Sequence, residues 1–189
     1  MVFHPGLRLT VFLLEIMMAN AMGPFPITTK SIGPYPIIAD DQWNDIYMPI
    51  NTAKHPAANF PDDTALTTHV NQFTFDVDDY VDIGACEFLH GWHEGTPIEP
   101  HCHILSNGEE IVATKVNIIL YYNFATPGGV LTAEGSATAE LVIPANTPTK
   151  THFLLDLDPD IVTTGYKIGT TFQCRIYRIA KTAGGADPA

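Results

Sequence analysis

From Val70 onward the chain alternates apolar and polar residues with a period of two, the pattern of strands that bury one face. Val70-Asn-Gln-Phe73-Thr-Phe75-Asp-Val77, Ala85-Cys-Glu-Phe88-Leu-His90 and Ile98-Glu-Pro-His-Cys-His-Ile104 each follow it. Ile111 to Phe124 is the longest apolar run. A helix would fit it by length, but its β-branched and aromatic residues predict a long central strand. Ala137–Ile143, His152–Asp156 and Thr170–Ile179 complete the series, the last alternating strictly. Upstream, Asp40 to Ile50 predicts a first strand ending at Pro49, and residues 51–68 read as loop. Thr126-Pro-Gly-Gly129 and Glu134-Gly-Ser136 supply turns. The pattern is all-β: an antiparallel β-sandwich or jelly roll of about eight strands.

The N-terminal part breaks this pattern. Residues 1–22 read as a leader, an arm or an upstream extension of the gene. Ala19-Asn-Ala21 resembles a signal-peptidase site, but Glu15 interrupts the short apolar region, and no run is long enough for a transmembrane helix. Residues 23–39 carry four prolines in Gly23-Pro-Phe-Pro-Ile27 and its echo Gly33-Pro-Tyr-Pro-Ile37, which exclude helix and predict an extended arm. An apolar extended arm is costly to leave in water, so it is expected to pack on its own domain or a neighbouring subunit, anchored by Phe25, Ile27, Tyr35 and Ile37. The sandwich is expected over 40–180, and 181–189 as a flexible tail.

A length of 189 residues suits one domain. Charge changes the picture more. The chain has 21 acidic against 9 basic residues, a net of -12, which disfavours nucleic acid or a membrane surface as partner. Three cysteines, Cys86, Cys102 and Cys174, without CxxC spacing, read as buried free thiols.

The chemistry concentrates in residues 90–103, which hold four of the eight histidines. The stretch reads as a hairpin: a strand, a tight loop with Gly91 and Gly95 at positive φ, and a second strand that puts His101 and His103 on one face. Gly95, five residues, then His101-x-His103 matches the opening of the cupin metal motif. The Glu that should follow is displaced to Glu109 and Glu110, the second half is missing, and His152 is the only downstream histidine. Three readings stay open. The pair faces outward beside His90, Glu87 or Glu99; or three copies of it surround a divalent ion on an oligomer axis; or it serves a metal enzyme with Glu109 and His152. The acidic runs Asp76–Asp82 and Asp156–Asp160 read as solvated loops rather than calcium sites. Tyr121, Tyr122, Phe124, Phe73 and Phe75 are core aromatics in the plain reading and a sugar platform in the alternative. The serines sit in loops with no neighbouring His, so hydrolysis by serine is not expected.

Trp43-x-Asp45-Ile-x-x-Pro49-Ile, then His90-x-x-His93-Glu94-Gly95-Thr96-x-Ile98-x-Pro100-His101-x-His103, and finally Gly169-Thr-Thr-Phe172-x-x-Arg175-Ile-Tyr177-Arg178, resemble a family of tailed-phage virion proteins. The likeness spans about residues 40–180. Ile104 departs from it, since the family has an aromatic there. The resemblance implies a virion location, a β-sandwich and no enzymatic activity. The expected protein is a capsid decoration (cement) or head or tail fibre component. Its expected partners are copies of itself, as a trimer, and other virion proteins such as the major capsid protein. In this reading Trp92 and His93 join the arm residues at a subunit contact, and an axial ion at His101 and His103 is the one cofactor admitted. A metal enzyme and a glycan- or receptor-binding sandwich are the competing classes.

Overall fold

A computed structural model describes residues 9–20, 42–88, 90, 92, 94–184 and 186, with the main chain alone for 9–20, 42–45 and 51. The Pro-rich arm 23–39, with Phe25, Ile27, Tyr35 and Ile37, lies outside the described residues, as does His93.

Among the described residues ten strands form two antiparallel sheets. In chain order they are β1 Leu9–Asn20, β2 Gln42–Pro49, β3 Asp62–Ala65, β4 Asn71–Phe75, β5 Tyr80–Glu87, β6 Ile98–Ser106, β7 Thr114–Ala125, β8 Gly135–Ile143, β9 His152–Asp156 and β10 Thr171–Ile179. The larger sheet runs β3-β4-β1-β6-β9, with β2 also paired to β1; the smaller runs β5-β10-β7-β8. Alternation decides which side of each strand is covered. Phe75, Ile98, Cys102 and Ile104 of the larger sheet meet Val81, Ile118, Leu120, Phe172 and Ile176 of the smaller in one core. The molecule is an antiparallel β-sandwich, as the period-two pattern predicts. Within the run from Ile111, Thr114 onward folds as β7, flanked by β10 and β8. All three cysteines are free; Cys102 and Cys174 are buried and Cys86 is half-buried.

Two expectations need correction. The stretch set apart as leader or arm contains β1, the middle strand of the larger sheet. It pairs with β6 from Leu9↔Ser106 to Met18↔Ile98, with β2 from Leu13↔Pro49 to Asn20↔Gln42, and with β4 at Leu9 and Thr10. The sandwich therefore takes in residues well upstream of 40. The second correction concerns 51–68, where Asp62–Ala65 forms β3 on the edge of β4. Four residues, mostly exposed, give alternation too little to register. Among the described residues no helix is long and apolar enough to cross a membrane, a statement that leaves β-barrels aside.

β10 holds one departure from core chemistry. Phe172, Cys174 and Ile176 point inward, and at the next inward position stands Arg178, fully buried. Its Nη1 donates to the Phe75 carbonyl, so the guanidinium ties β10 to the end of β4 across the sandwich.

The tail expected to be flexible is anchored where it is described. Thr182 donates from N and Oγ1 to Glu140 Oε2, both at 2.7 Å, and Lys115 N donates to the Ala186 carbonyl at 2.9 Å. Lys115 Nζ sits 2.7 Å from Glu140 Oε1. The bond from Lys115, then those from Thr182, hold the Glu140 carboxyl down from an ordinary 4.5 to about 2. A depressed carboxylate stabilises the fold above its unfolded pKa and loses that contribution as pH falls toward the folded value. Tail docking should therefore be complete above pH 4.5 and weaken toward pH 2. In an NMR titration the Thr182 amide shift should move with a midpoint near 2, and Glu140→Gln should remove the transition. A midpoint near 4.5 would contradict the docking.

Candidate functional site

The expected hairpin around residues 90–97 is instead a crossover. β5 belongs to the smaller sheet and β6 to the larger, so the chain passes between sheets here. Aromatic packing and polar clamps fix the passage. Phe88 and Trp92 are both buried, with ring centroids 4.5 Å apart in edge contact, and Phe88 N donates to the Thr170 carbonyl at 2.9 Å. Trp92 was expected at a subunit contact. At 3% exposure it is core, and it has no surface left to offer a partner.

Glu94 accepts from Lys167 Nζ at 2.8 Å and from Ile168 N at 3.1 Å. Gly95 takes φ +89°, a conformation that side chains rarely adopt, and the Thr96 carbonyl accepts from Thr163 Oγ1 at 2.6 Å. Glu94 and Thr96 thus fasten the entry of β6 to the loop before β10. Their role is architectural.

β6 then alternates. Ile98, Pro100, Cys102, Ile104 and Ser106 are covered, and Glu99, His101, His103 and Leu105 take the opposite side, away from the sandwich core. The two histidines share that outward face, as their spacing predicts. Their neighbours are the strands β1 and β9 rather than Glu87, which lies in the smaller sheet. Across the larger sheet Tyr47, Glu15, His101 and Asp156 stand in register, and Pro49, Leu13, His103 and Leu154 form the next row but one.

The geometry at the histidines is specific. His103 Nδ1 lies 2.8 Å from His152 Nε2, with the two rings parallel within 3° and 5.0 Å apart. His101 sits edge-on to His103 at 5.4 Å, and is only 5% exposed despite its outward position. One ring of the His103–His152 pair must donate while the other accepts, so that bond requires at least one neutral imidazole. Acidic groups border the row. Burial, then Asp160 and Asp156, push the Glu99 carboxyl up, while His101 draws it back.

This arrangement unites His101, His103 and His152. It does not recruit Glu109, which is exposed in the loop after β6. Among the described residues no three His, Cys, Asp or Glu side chains converge to hold an ion. The acidic run 76–82 is spent on structure: Asp79 Oδ2 caps Asp76 N at 2.7 Å, Asp78 accepts from Tyr177 at 2.8 Å, and Asp82 pairs with Arg175 at 2.6 Å. No family model, no curated protein and no solved structure matches the chain.

Proposed function

We propose that this protein is a non-enzymatic structural subunit of a tailed-phage particle, acting by subunit–subunit contacts as capsid decoration or as part of a head or tail fibre. The observation that carries the reading is the outward face of the larger sheet. Tyr47 at 61% and Leu154 at 53% exposure flank the histidine row, and Leu154 stands on β9, at the edge of its sheet. Apolar side chains beside an edge strand are a surface that a second copy can cover. The histidine row would then lie at that contact, where imidazoles from three copies around an axis can share one divalent ion without an open catalytic position.

The experiment is light scattering on the eluting chain, with metal analysis of the same peak. A trimer is expected, with one ion per three chains if the axis is occupied. Leu154→Glu, at a half-exposed position, should convert it to a monomer with an unchanged melting temperature. A monomeric parent, or a variant that stays assembled, would overturn the contact. One ion per single chain would favour the metal enzyme instead.

A further inference from the structure

The outer face of the smaller sheet carries a built depression that the proposed subunit contact does not use. Its cause is a β-bulge. Phe172 pairs with Cys86 but Cys174 pairs with Ile83, so Gly84 and Ala85 together oppose the single residue Gln173. Two small residues at the bulge leave the floor empty, and a Cβ built on Gly84 would meet nothing within 4 Å. Larger side chains rise around it: Lys54, Asp82, Tyr121, Asn123, Glu134 and Arg175. The volume of this open depression is about 490 Å³, within the range of roughly 300–1,000 Å³ typical of small-ligand sites.

The walls are held in place. Arg175 Nε donates to Asp82 Oδ1 at 2.6 Å, and its guanidinium carbon lies 4.1 Å from the centre of the Tyr80 ring. Tyr121 is the register neighbour of Arg175 on β7, and Asn123 that of Gln173. Asn123 Nδ2 donates to the Thr132 carbonyl at 3.2 Å, which fixes the amide and leaves its oxygen as an acceptor. Lys54 is secured from below by its main-chain N donating to the Asp82 carbonyl at 2.8 Å.

We infer that this depression is a binding site for a neutral saccharide. The chemistry of the lining selects that class. Lys54 and Arg175 cancel Asp82 and Glu134, so the site offers an anion no net attraction on a chain of net charge -12. The amides of Gln173 and Asn123 and the outer nitrogens of Arg175 present planar donors and acceptors, those of Asn123 and Arg175 held in place, which suit adjacent hydroxyl groups. Tyr121 adds a flat apolar face for the C–H side of a sugar ring. An apolar ligand would find little to cover here. This site lies on the other sheet from the proposed subunit contact, so the two readings stand or fall separately.

The test is an array printed with neutral hexose and N-acetylhexosamine oligosaccharides beside sialylated and sulfated ones, probed with the full chain. The strongest neutral glycan would then be titrated by calorimetry. Neutral glycans should bind, and Gln173→Ala and Tyr121→Ala should each weaken binding at least tenfold. Gly84→Gln should abolish it by filling the floor. Its backbone is not in the left-handed region and its Cβ meets no neighbour, so its melting temperature should match the parent's. Binding only to acidic glycans, no binding at all, or parent-like affinity in Gly84→Gln would overturn the assignment.

Discussion

A chain lacking residues 1–20 should fail to fold. Among the described strands β1 alone joins β2, β4 and β3 to β6 and β9, so its loss divides the larger sheet and strips β2, β4 and β6 of their pairing with it. The effect should exceed the whole stability of an ordinary domain, roughly 5–15 kcal/mol. Circular dichroism should show no cooperative melt, and the proton–nitrogen spectrum should collapse in dispersion. A truncated chain that melts like the parent would show that the sandwich closes without β1. The same geometry decides how the Pro-rich arm should be tested. Removing residues 1–38 would destroy the sheet and mimic any loss of attachment. Asn20 and Gln42 are register partners, so replacing 23–38 with a short Gly/Ser linker removes Phe25, Ile27, Tyr35 and Ile37 while sparing both strands.

Arg178→Ala should destabilise the fold by about 3–5 kcal/mol, the range for breaking a buried charged contact and leaving a cavity. The side chain is wholly buried, and its removal strips the Phe75 carbonyl of its donor. Arg178→Met, which keeps most of the volume, should lose less, about 1–3 kcal/mol, for the unsatisfied carbonyl. Both are read from the midpoint of urea denaturation at constant slope. The loss should also depend on pH. Burial pushes the Glu110 carboxyl up, while the neighbouring Thr114 and the field of Arg178 draw it down. Without the guanidinium Glu110 rises further. A carboxyl raised on folding contributes fully below its unfolded pKa and loses that contribution as pH climbs through the folded value. The gap between Arg178→Ala and the parent should therefore widen above pH 4.5. An unchanged gap from pH 4 to 7 would remove Glu110 from the account.

Period-two alternation made most of the fold legible, because a sandwich strand declares its covered face every second residue. It failed where that signal is absent. Leu9 to Ala19 is almost continuously apolar, and such a run fits strand, helix and leader alike. Asp62–Ala65 is too short and too exposed to alternate. That His101 and His103 share one face followed from spacing. Their partner did not, because pairing between β6 and β9 is long-range, and the crossover at 88–97 looked like a hairpin for the same reason. Arg178 was visible in principle: it continues the parity of Phe172, Cys174 and Ile176. Its residue type argues against that side, since arginine is seldom fully buried. The depression at Gly84 depends on a one-residue slip between β5 and β10, which neither sequence reveals alone.

The position of β1 also sets an order in time. Its partner β2 follows closely in the chain, so those two can pair early. Its other side waits for β6, because Leu9 pairs with Ser106. At a synthesis rate of roughly 5–20 residues per second, that interval is on the order of 5–20 seconds. For that period one edge of an apolar strand stands open on the ribosome-bound chain, ready to pair with whatever strand comes first. When many copies are made side by side, the earliest neighbour can be another nascent chain. Slowing synthesis, or raising expression, should therefore increase the insoluble fraction before it alters the stability of the molecules that finish.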